Sequence, residues 1–265
     1  MKYPSRFEFH HGFASRNLDN HRTITVWLPP DYDQSDRLFP VLYMQDGQNL
    51  FDRKRAPYGS IWEADRIADR LVSNHQLQPI ILVAIDNTIH RDDEYTLFRD
   101  DREQKGGQSR LYGKFITEEL KPFIDSHYRT KMERESTGVG GSSLGGLVSL
   151  TLAMDYPEVF GLCAGISPSL WWANQRVLYE ILSHADRLTG SRLWFDMGTE
   201  EGHYPHAYHP PYALTRSLAR RLEQVGLMPG WDYYYQEIVG GNHHENDWRD
   251  RFDQVLMFLF GKPTQ

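Results

Sequence analysis

The chain predicts an α/β protein built on a mostly parallel, doubly wound sheet. Three observations carry that prediction. Short and almost wholly apolar runs at 39–44 and 79–85 read as strands covered on both faces. Segments with apolar residues at helical spacing alternate with them. Finally, Gly141-Ser142-Ser143-Leu144-Gly145 has the glycine-serine-glycine spacing that hangs a serine on a sharp strand-to-helix hairpin, where only hydrogen side chains fit two residues before and after it.

The elements follow in order. Residues 22–28 alternate through Thr-Ile-Thr-Val-Trp-Leu and stop at Pro29-Pro30, a half-buried strand, and 39–44 is a second. Residues 61–71 are helical by the stripe Ile67, Ala68 and Leu71, and 79–85 is the next strand. Residues 111–127 place Phe115, Ile116, Leu120, Phe123 and Ile124 on one helical face, with a kink expected at Pro122. The run 135–140 suits a buried strand, and 144–155 a helix carrying Leu147, Val148, Leu150, Thr151 and Leu152 until Tyr156-Pro157 ends it. Then come a strand at 160–166, a helix near 174–183, a strand at 192–197, and a helix with Leu214, Leu218, Leu222 and Val225 ahead of Gly226. A strand at 233–239 precedes a last helix, about 246–260, that buries Trp248, Phe252, Val255, Leu256 and Leu259. Sites on such a sheet lie at the carboxyl ends of its strands.

With 265 residues, 40% hydrophobic and 13% aromatic, the chain can bury a large core. No linker, charge run or internal repeat divides it, so one domain over 1–265 is expected. A net charge of −7 and a pI near 5.9 argue against nucleic-acid and anionic-membrane partners, which demand a basic patch. The first residues carry no apolar leader and no stretch is long enough to span a bilayer, so a cytoplasmic protein is the default expectation. Cys163, the only cysteine, lies in an apolar run and reads as a small core residue.

A serine is a weak nucleophile at neutral pH, so Ser143 needs a neighbouring base, and the base needs an acid to hold its tautomer. On this architecture the order is serine, acid, histidine, so both partners must follow residue 143. The stretch Val239-Gly-Gly-Asn-His243-His244-Glu245 leaves a strand and enters the last helix, and its two glycines let it bend back over the sheet edge. His243 is the favoured base. His244 is expected to point to solvent or cap the helix, and His184, beside Asp186, is the rival. For the acid, strand 192–197 runs into Gly198-Thr199-Glu200-Glu201-Gly202, which favours Glu201, with Glu200 and Asp196 behind it. An oxyanion needs two backbone N–H donors. Leu144, after the nucleophile, supplies one, and Gln48, just past Gly47 at the end of strand 39–44, is the expected second.

These pieces, with Asp46-Gly-Gln-Asn-Leu-Phe-Asp52, Arg91-Asp-Asp-Glu-Tyr95, Glu119-Leu-Lys-Pro-Phe123, Tyr128-Arg-Thr130, Gly141-Ser-Ser-Leu-Gly-Gly146, Ser167-Pro-Ser-Leu-Trp171 and His243-His-Glu245 through Trp248, stand in family order. Over nearly its whole length the chain resembles the putative-esterase family of α/β hydrolases, which includes feruloyl and acetylxylan esterases, siderophore esterases and S-formylglutathione hydrolases. The resemblance implies an α/β-hydrolase fold with an antiparallel N-terminal strand region. It also implies Ser143 as nucleophile, His243 as base, Glu201 as acid, the amides of Gln48 and Leu144 as oxyanion donors, and no metal or organic cofactor. Members often carry Asn after the histidine, where this chain has His244.

Trp171 and Trp172 after the Ser167-Pro168 strand end, Tyr204 in the run His203-Tyr-Pro-His-Ala-Tyr-His-Pro-Pro-Tyr212, and Trp248 are candidates to wall a pocket for an aryl, acetyl or sugar-linked ester. His203, His206 and His209 do not suggest zinc, because the intervening prolines prevent a helix from aligning them. Lys105-Gly106-Gly107 lacks the spacing of a phosphate loop. The expected activity is therefore a cofactor-free serine carboxylesterase acting on a small-molecule or saccharide ester. A siderophore trilactone esterase, an acyltransferase and a catalytically idle carbohydrate-binding protein on the same scaffold are the alternatives.

Overall fold

The computed structural model describes residues 5–30, 32–34, 36–57, 59–202 and 210–261. Among them, the apolar runs become strands β1 (Arg6–Ser15), β2 (Asn20–Leu28), β3 (Val41–Met44), β4 (Ile81–Ile85), β5 (Thr137–Ser142), β6 (Leu162–Ile166), β7 (Arg192–Gly198) and β8 (Tyr233–Ile238). They form one sheet in the order β1-β2-β4-β3-β5-β6-β7-β8. β1 pairs antiparallel with β2, and β2 antiparallel with β4; from β4 to β8 every pairing is parallel. This is the α/β-hydrolase fold with an antiparallel N-terminal region.

Helices α1 (Ala64–Ser73), α2 (Arg91–Glu94), α3 (Ser109–Lys114), α4 (Lys121–His127), α5 (Leu144–Asp155), α6 (Arg176–Ser183), α7 (Pro211–Gln224) and α8 (Glu245–Phe260) connect or follow the strands. Parallel neighbours need such crossovers, which cover the sheet on both sides. One core layer joins Val41, Tyr43 and Val139 to Tyr112, Leu147, Leu178 and Leu218 of α3, α5, α6 and α7. The other joins Leu42, Met44 and Leu82 to Leu71 of α1 and Phe252, Leu256 and Phe260 of α8. Alternate residues of the same strand therefore face opposite layers, and the wholly apolar strands follow from that. Cys163 is buried on β6, and burial pushes its thiol pKa up.

Two features depart from the sequence expectation. The helix expected at 111–127 is continuous in direction but broken in pitch. Between α3 and α4 lies a π-helical segment, Phe115–Leu120, in which the N–H of Lys121 donates to Ile116 five residues back. Pro122 has no N–H and its ring would crowd the preceding turn, so the widened turn takes up the irregularity before the proline is reached. The second departure is β1, which the sequence reading does not pick out: it is the sheet's edge and mostly exposed, with Phe7 and Phe9 facing outward. No described helix is long and apolar enough to cross a membrane.

A buried ion pair fixes the short helix α2 under the sheet edge. Arg22 of β2 donates from both terminal nitrogens to Glu94, at 2.9 Å each, and both side chains are almost fully buried. Asn20 donates to the same carboxylate at 2.7 Å, and the guanidinium lies 4.8 Å from the Phe115 ring centroid. Breaking such a pair strands a charge in the core. Glu94→Ala is expected to destabilise the protein by about 3–5 kcal/mol in urea denaturation, and Arg22→Met combined with Glu94→Leu to recover most of that loss.

Candidate active site

β5 ends at Ser142 and α5 begins at Leu144, so Ser143 is the corner between them. Its backbone is forced to φ 57, ψ −125, a left-handed conformation costly for any residue with a Cβ. The flanking glycines have a steric cause. A Cβ on Gly141 would stand 2.9 Å from both Gln45 Cβ and the carbonyl carbon of Gly145, and one on Gly145 would stand 3.0 Å from Gln45 Cβ. The N–H of Ser143 donates to Ile166 at 3.1 Å, and its Oγ lies 3.3 Å from Ser169 Oγ. Ser143 opens onto a cavity of about 550 Å³ whose wall also includes His243 and Trp248.

The loops after β7 and β8 are knitted together beside this corner. Thr199 N–H donates to Ile238 at 3.0 Å, Glu200 N–H to Gly241 at 3.0 Å, and Gly240 N–H to Thr199 Oγ1 at 2.9 Å. A Cβ on Gly198 would come within 2.3 Å of the Gly241 carbonyl, so the loops approach at backbone contact. That approach sets Glu201 Oε2 at 2.7 Å from His243 Nδ1. An ionised carboxylate only accepts, so this contact suits a histidine that donates from Nδ1. Oε1 of Glu201 accepts from Gly198 N–H at 2.7 Å and from Ser167 Oγ at 2.5 Å, and the side chain is fully buried. The His243 ring meets Trp248 edge-on at 4.9 Å.

The other candidates are engaged elsewhere. Asp196 takes the fork of Arg251, with both bonds at 2.9 Å, together with the indole N–H of Trp194 at 2.7 Å. Glu200 is exposed. His244 accepts the Asn246 N–H at 3.1 Å and so caps α8, while also edging the cavity. His184 sits at the end of α6 with its Nδ1 3.0 Å from the Glu180 carbonyl, and it is not part of the cavity wall.

Opposite the serine corner, β3 runs into Gln45, Asp46 and a 3₁₀ turn, Gly47–Asn49. Asp46 is left-handed (φ 54, ψ 46) and is clamped by Arg91 of α2 at 2.7 and 2.8 Å and by the Asn87 amide at 2.6 Å. Asn87 N–H donates to Gln48 Oε1 at 3.2 Å, and Tyr112 OH donates to Gln45 Oε1. A Cβ on Gly47 would fall 2.7 Å from the Ala84–Ile85 peptide, so the turn lies tight on the end of β4. Gln48 and Leu144 each stand in the first turn of a helix, where N–H groups lack an intrahelical acceptor.

The sequence profile of the family described as "Putative esterase" matches residues 15–259. The chain belongs to this family. As a family member it is an ester-hydrolysing enzyme. It is 28% identical over 262 residues to the uncharacterized protein YbbA of Bacillus subtilis, covering 95% of this chain and 97% of that one. It is 31% identical over 185 residues to the iron(III) salmochelin esterase of Escherichia coli O6:H1, covering 66% of this chain and 41% of that protein. The fold superposes on that of an IroE-like serine hydrolase from Shewanella oneidensis with a TM-score of 0.76 at 20% identity, covering 95% of this chain and 79% of the other.

In this esterase, among the aromatic candidates that fall within the described residues, only one faces the cavity. Trp248 lines it, with its indole N–H on Ser167 Oγ at 3.0 Å. Trp172 is buried and donates to the Phe98 carbonyl at 2.9 Å, Trp171 packs beside it with ring centroids 5.9 Å apart, and neither lines the cavity. Trp172 belongs to the core layer and Trp171 packs against that layer, just ahead of a left-handed run at Ala173, Asn174 and Gln175. Tyr204, with His203, His206 and His209, lies outside the described residues. Among the described residues no group of three or more His, Cys, Asp or Glu side chains could hold a metal ion.

Sequence reasoning missed Ser167, Ser169, Asn87, Arg91 and Arg251 as individual site residues. The blocks at Arg91–Glu94 and after β6 carried a signal for Arg91, Ser167 and Ser169; nothing local marked Arg251, which meets Asp196 only because α8 returns beneath β7. Gly145→Ala is expected to lower stability by about 1–3 kcal/mol through overpacking at the corner, read as a shift of the thermal unfolding midpoint.

Proposed function

We propose that the enzyme is a serine carboxylic-ester hydrolase that works through an acyl-Ser143 intermediate. The observation that carries this reading is the 2.7 Å contact of His243 Nδ1 with buried Glu201, at the wall of the cavity that Ser143 also lines. His243 Nε2 takes the Ser143 proton as Oγ attacks the ester carbonyl carbon. The N–H groups of Leu144 and Gln48 receive the developing oxyanion. Collapse breaks the carbon–oxygen bond of the leaving alcohol, which takes the proton from His243. Water then attacks the acyl-serine, giving its proton to His243 and releasing the acid, and Ser143 regains its proton. Glu201 stays ionised, holding the imidazole in one tautomer and stabilising the imidazolium.

The substrate class proposed is an aryl, acetyl or sugar-linked ester. A cavity of about 550 Å³ falls in the ordinary range for a small ligand, with the Trp248 ring as an apolar face and Gln48, Asn87 and Arg91 as polar contacts. A second reading, a siderophore trilactone, is favoured by the similarity to the salmochelin esterase.

A panel of p-nitrophenyl, feruloyl, acetyl-sugar and trilactone esters, run beside an organophosphonate label, tests the proposal. Wild type is expected to turn over at least one ester and to take up the label at Ser143, and Ser143→Ala to lose the label and about three or more powers of ten in kcat. Absence of both turnover and labelling in the wild type overturns the reading, whereas strong acceleration by added alcohol moves it to acyl transfer. His243→Ala is expected to cost several powers of ten in rate and His244→Ala less than about tenfold; the opposite ranking in steady-state kinetics would transfer the base to His244.

A further inference from the structure

Behind Glu201 lies a hydroxyl that the hydrolytic scheme does not use. Ser167, the first residue after β6, is fully buried and does not line the cavity. A serine hydroxyl has one proton to give and two lone pairs to fill. Here all three are committed. Oγ accepts from the Trp248 indole at 3.0 Å and from Arg251 Nη2 at 2.8 Å, and donates to Glu201 Oε1 at 2.5 Å. With both acceptor sites filled by donors from one face of α8, the proton has no direction left except Glu201.

The backbone is bent to permit this. Ser167 holds φ 44, a left-handed conformation for a residue with a Cβ, and its N–H donates to Asp196 Oδ1 at 3.1 Å. Asp196 and Arg251 neutralise one another, so Arg251 presents an oriented N–H to Ser167 without leaving a net charge beside Glu201. The ionisable groups around the hydroxyl are therefore Glu201 from the β7 loop, Asp196 from β7 and Arg251 from α8, with His243 beyond the carboxylate.

From this we infer that Ser167 is a positioning residue of the reaction: its single available proton pins Glu201 Oε1, so that Oε2 stays aimed at His243 Nδ1. The inference rests on the serine–histidine–glutamate reading above. Without Ser167 the carboxylate keeps only the Gly198 N–H on Oε1 and is freer to rotate away. In the conformers that still face His243 the charge, less shared with a donor, holds the imidazolium more tightly, so the loss in kcat reads the rotation and the pH limb reads the missing donor.

The test uses Ser167→Ala and Ser167→Gly in the full chain. Glycine removes the hydroxyl while relieving the left-handed strain, so it reads the hydroxyl even if the alanine variant folds poorly. Both variants are expected to retain organophosphonate labelling, to keep KM within about twofold, and to lose roughly 10- to 100-fold in kcat, well short of the ~10⁴-fold expected when an acid itself is disabled. The acid limb of the kcat/KM profile, which reports deprotonation of His243, is expected to move up by about half to one pH unit. A fall below threefold, a fall without movement of the limb, or failure of both variants to fold would reduce Ser167 to a packing residue and overturn the inference. Failure of the wild type to label or turn over esters would instead overturn the hydrolase reading beneath it.

Discussion

The constraint on which the site depends is the left-handed corner at Ser143, where the chain leaves the centre of a parallel sheet and enters a helix without an intervening loop. Such a corner is costly and persists only because its surroundings admit no other path. Gln45, at the end of β3, stands against Gly141 and Gly145 together, and Gln45 is itself held by Tyr112. The same crowding that removes side chains from 141 and 145 leaves Ser143 facing the cavity, so the geometry of the serine corner and the position of the neighbouring turn have one cause.

Around that corner, three arginines are each paired with a buried carboxylate. Arg22 with Glu94, Arg91 with Asp46 and Arg251 with Asp196 are matched ion pairs, each making bidentate or nearly bidentate bonds. Each ties a helix to the sheet near its functional edge: α2 to β2, α2 to the turn after β3, and α8 to β7. Isolated pairs of this kind contribute little net stability, yet losing one member strands a charge, so they specify where a helix sits more than how firmly it is bound. Glu201 differs from them. Its partners are the His243 imidazole, a backbone N–H and a hydroxyl, so it is the buried acid among the candidates that faces a titratable base.

Much of the fold was legible because periodicity is a local property. The strand at 22–28, the helix at 144–155 and the last helix after His244 match the observed elements within a residue or two. The exceptions have physical reasons. Strand β1 is an exposed edge whose Phe7 and Phe9 face outward, and the π-helical segment at Phe115–Leu120 precedes a proline seven residues beyond its start. Trp171 and Trp172 read as pocket walls because aromatic residues after a strand end look alike whether they face a ligand or the core; here they pack on the core, with Trp172 held by the Phe98 carbonyl.

By itself the sequence determined the alternation of strand and helix, the serine corner and the histidine loop, since each is written in contiguous residues whose spacing forces a conformation. It also narrowed the acid to three carboxylates within six residues, Asp196, Glu200 and Glu201. Only the tertiary structure gave them different partners. Asp196 faces Arg251 and Glu201 faces His243 because α8 returns beneath β7 while the loops after β7 and β8 meet at Gly198 and Gly241. A carboxylate's partner is fixed by what crosses beside it, and no local pattern encodes a crossing between segments some fifty residues apart.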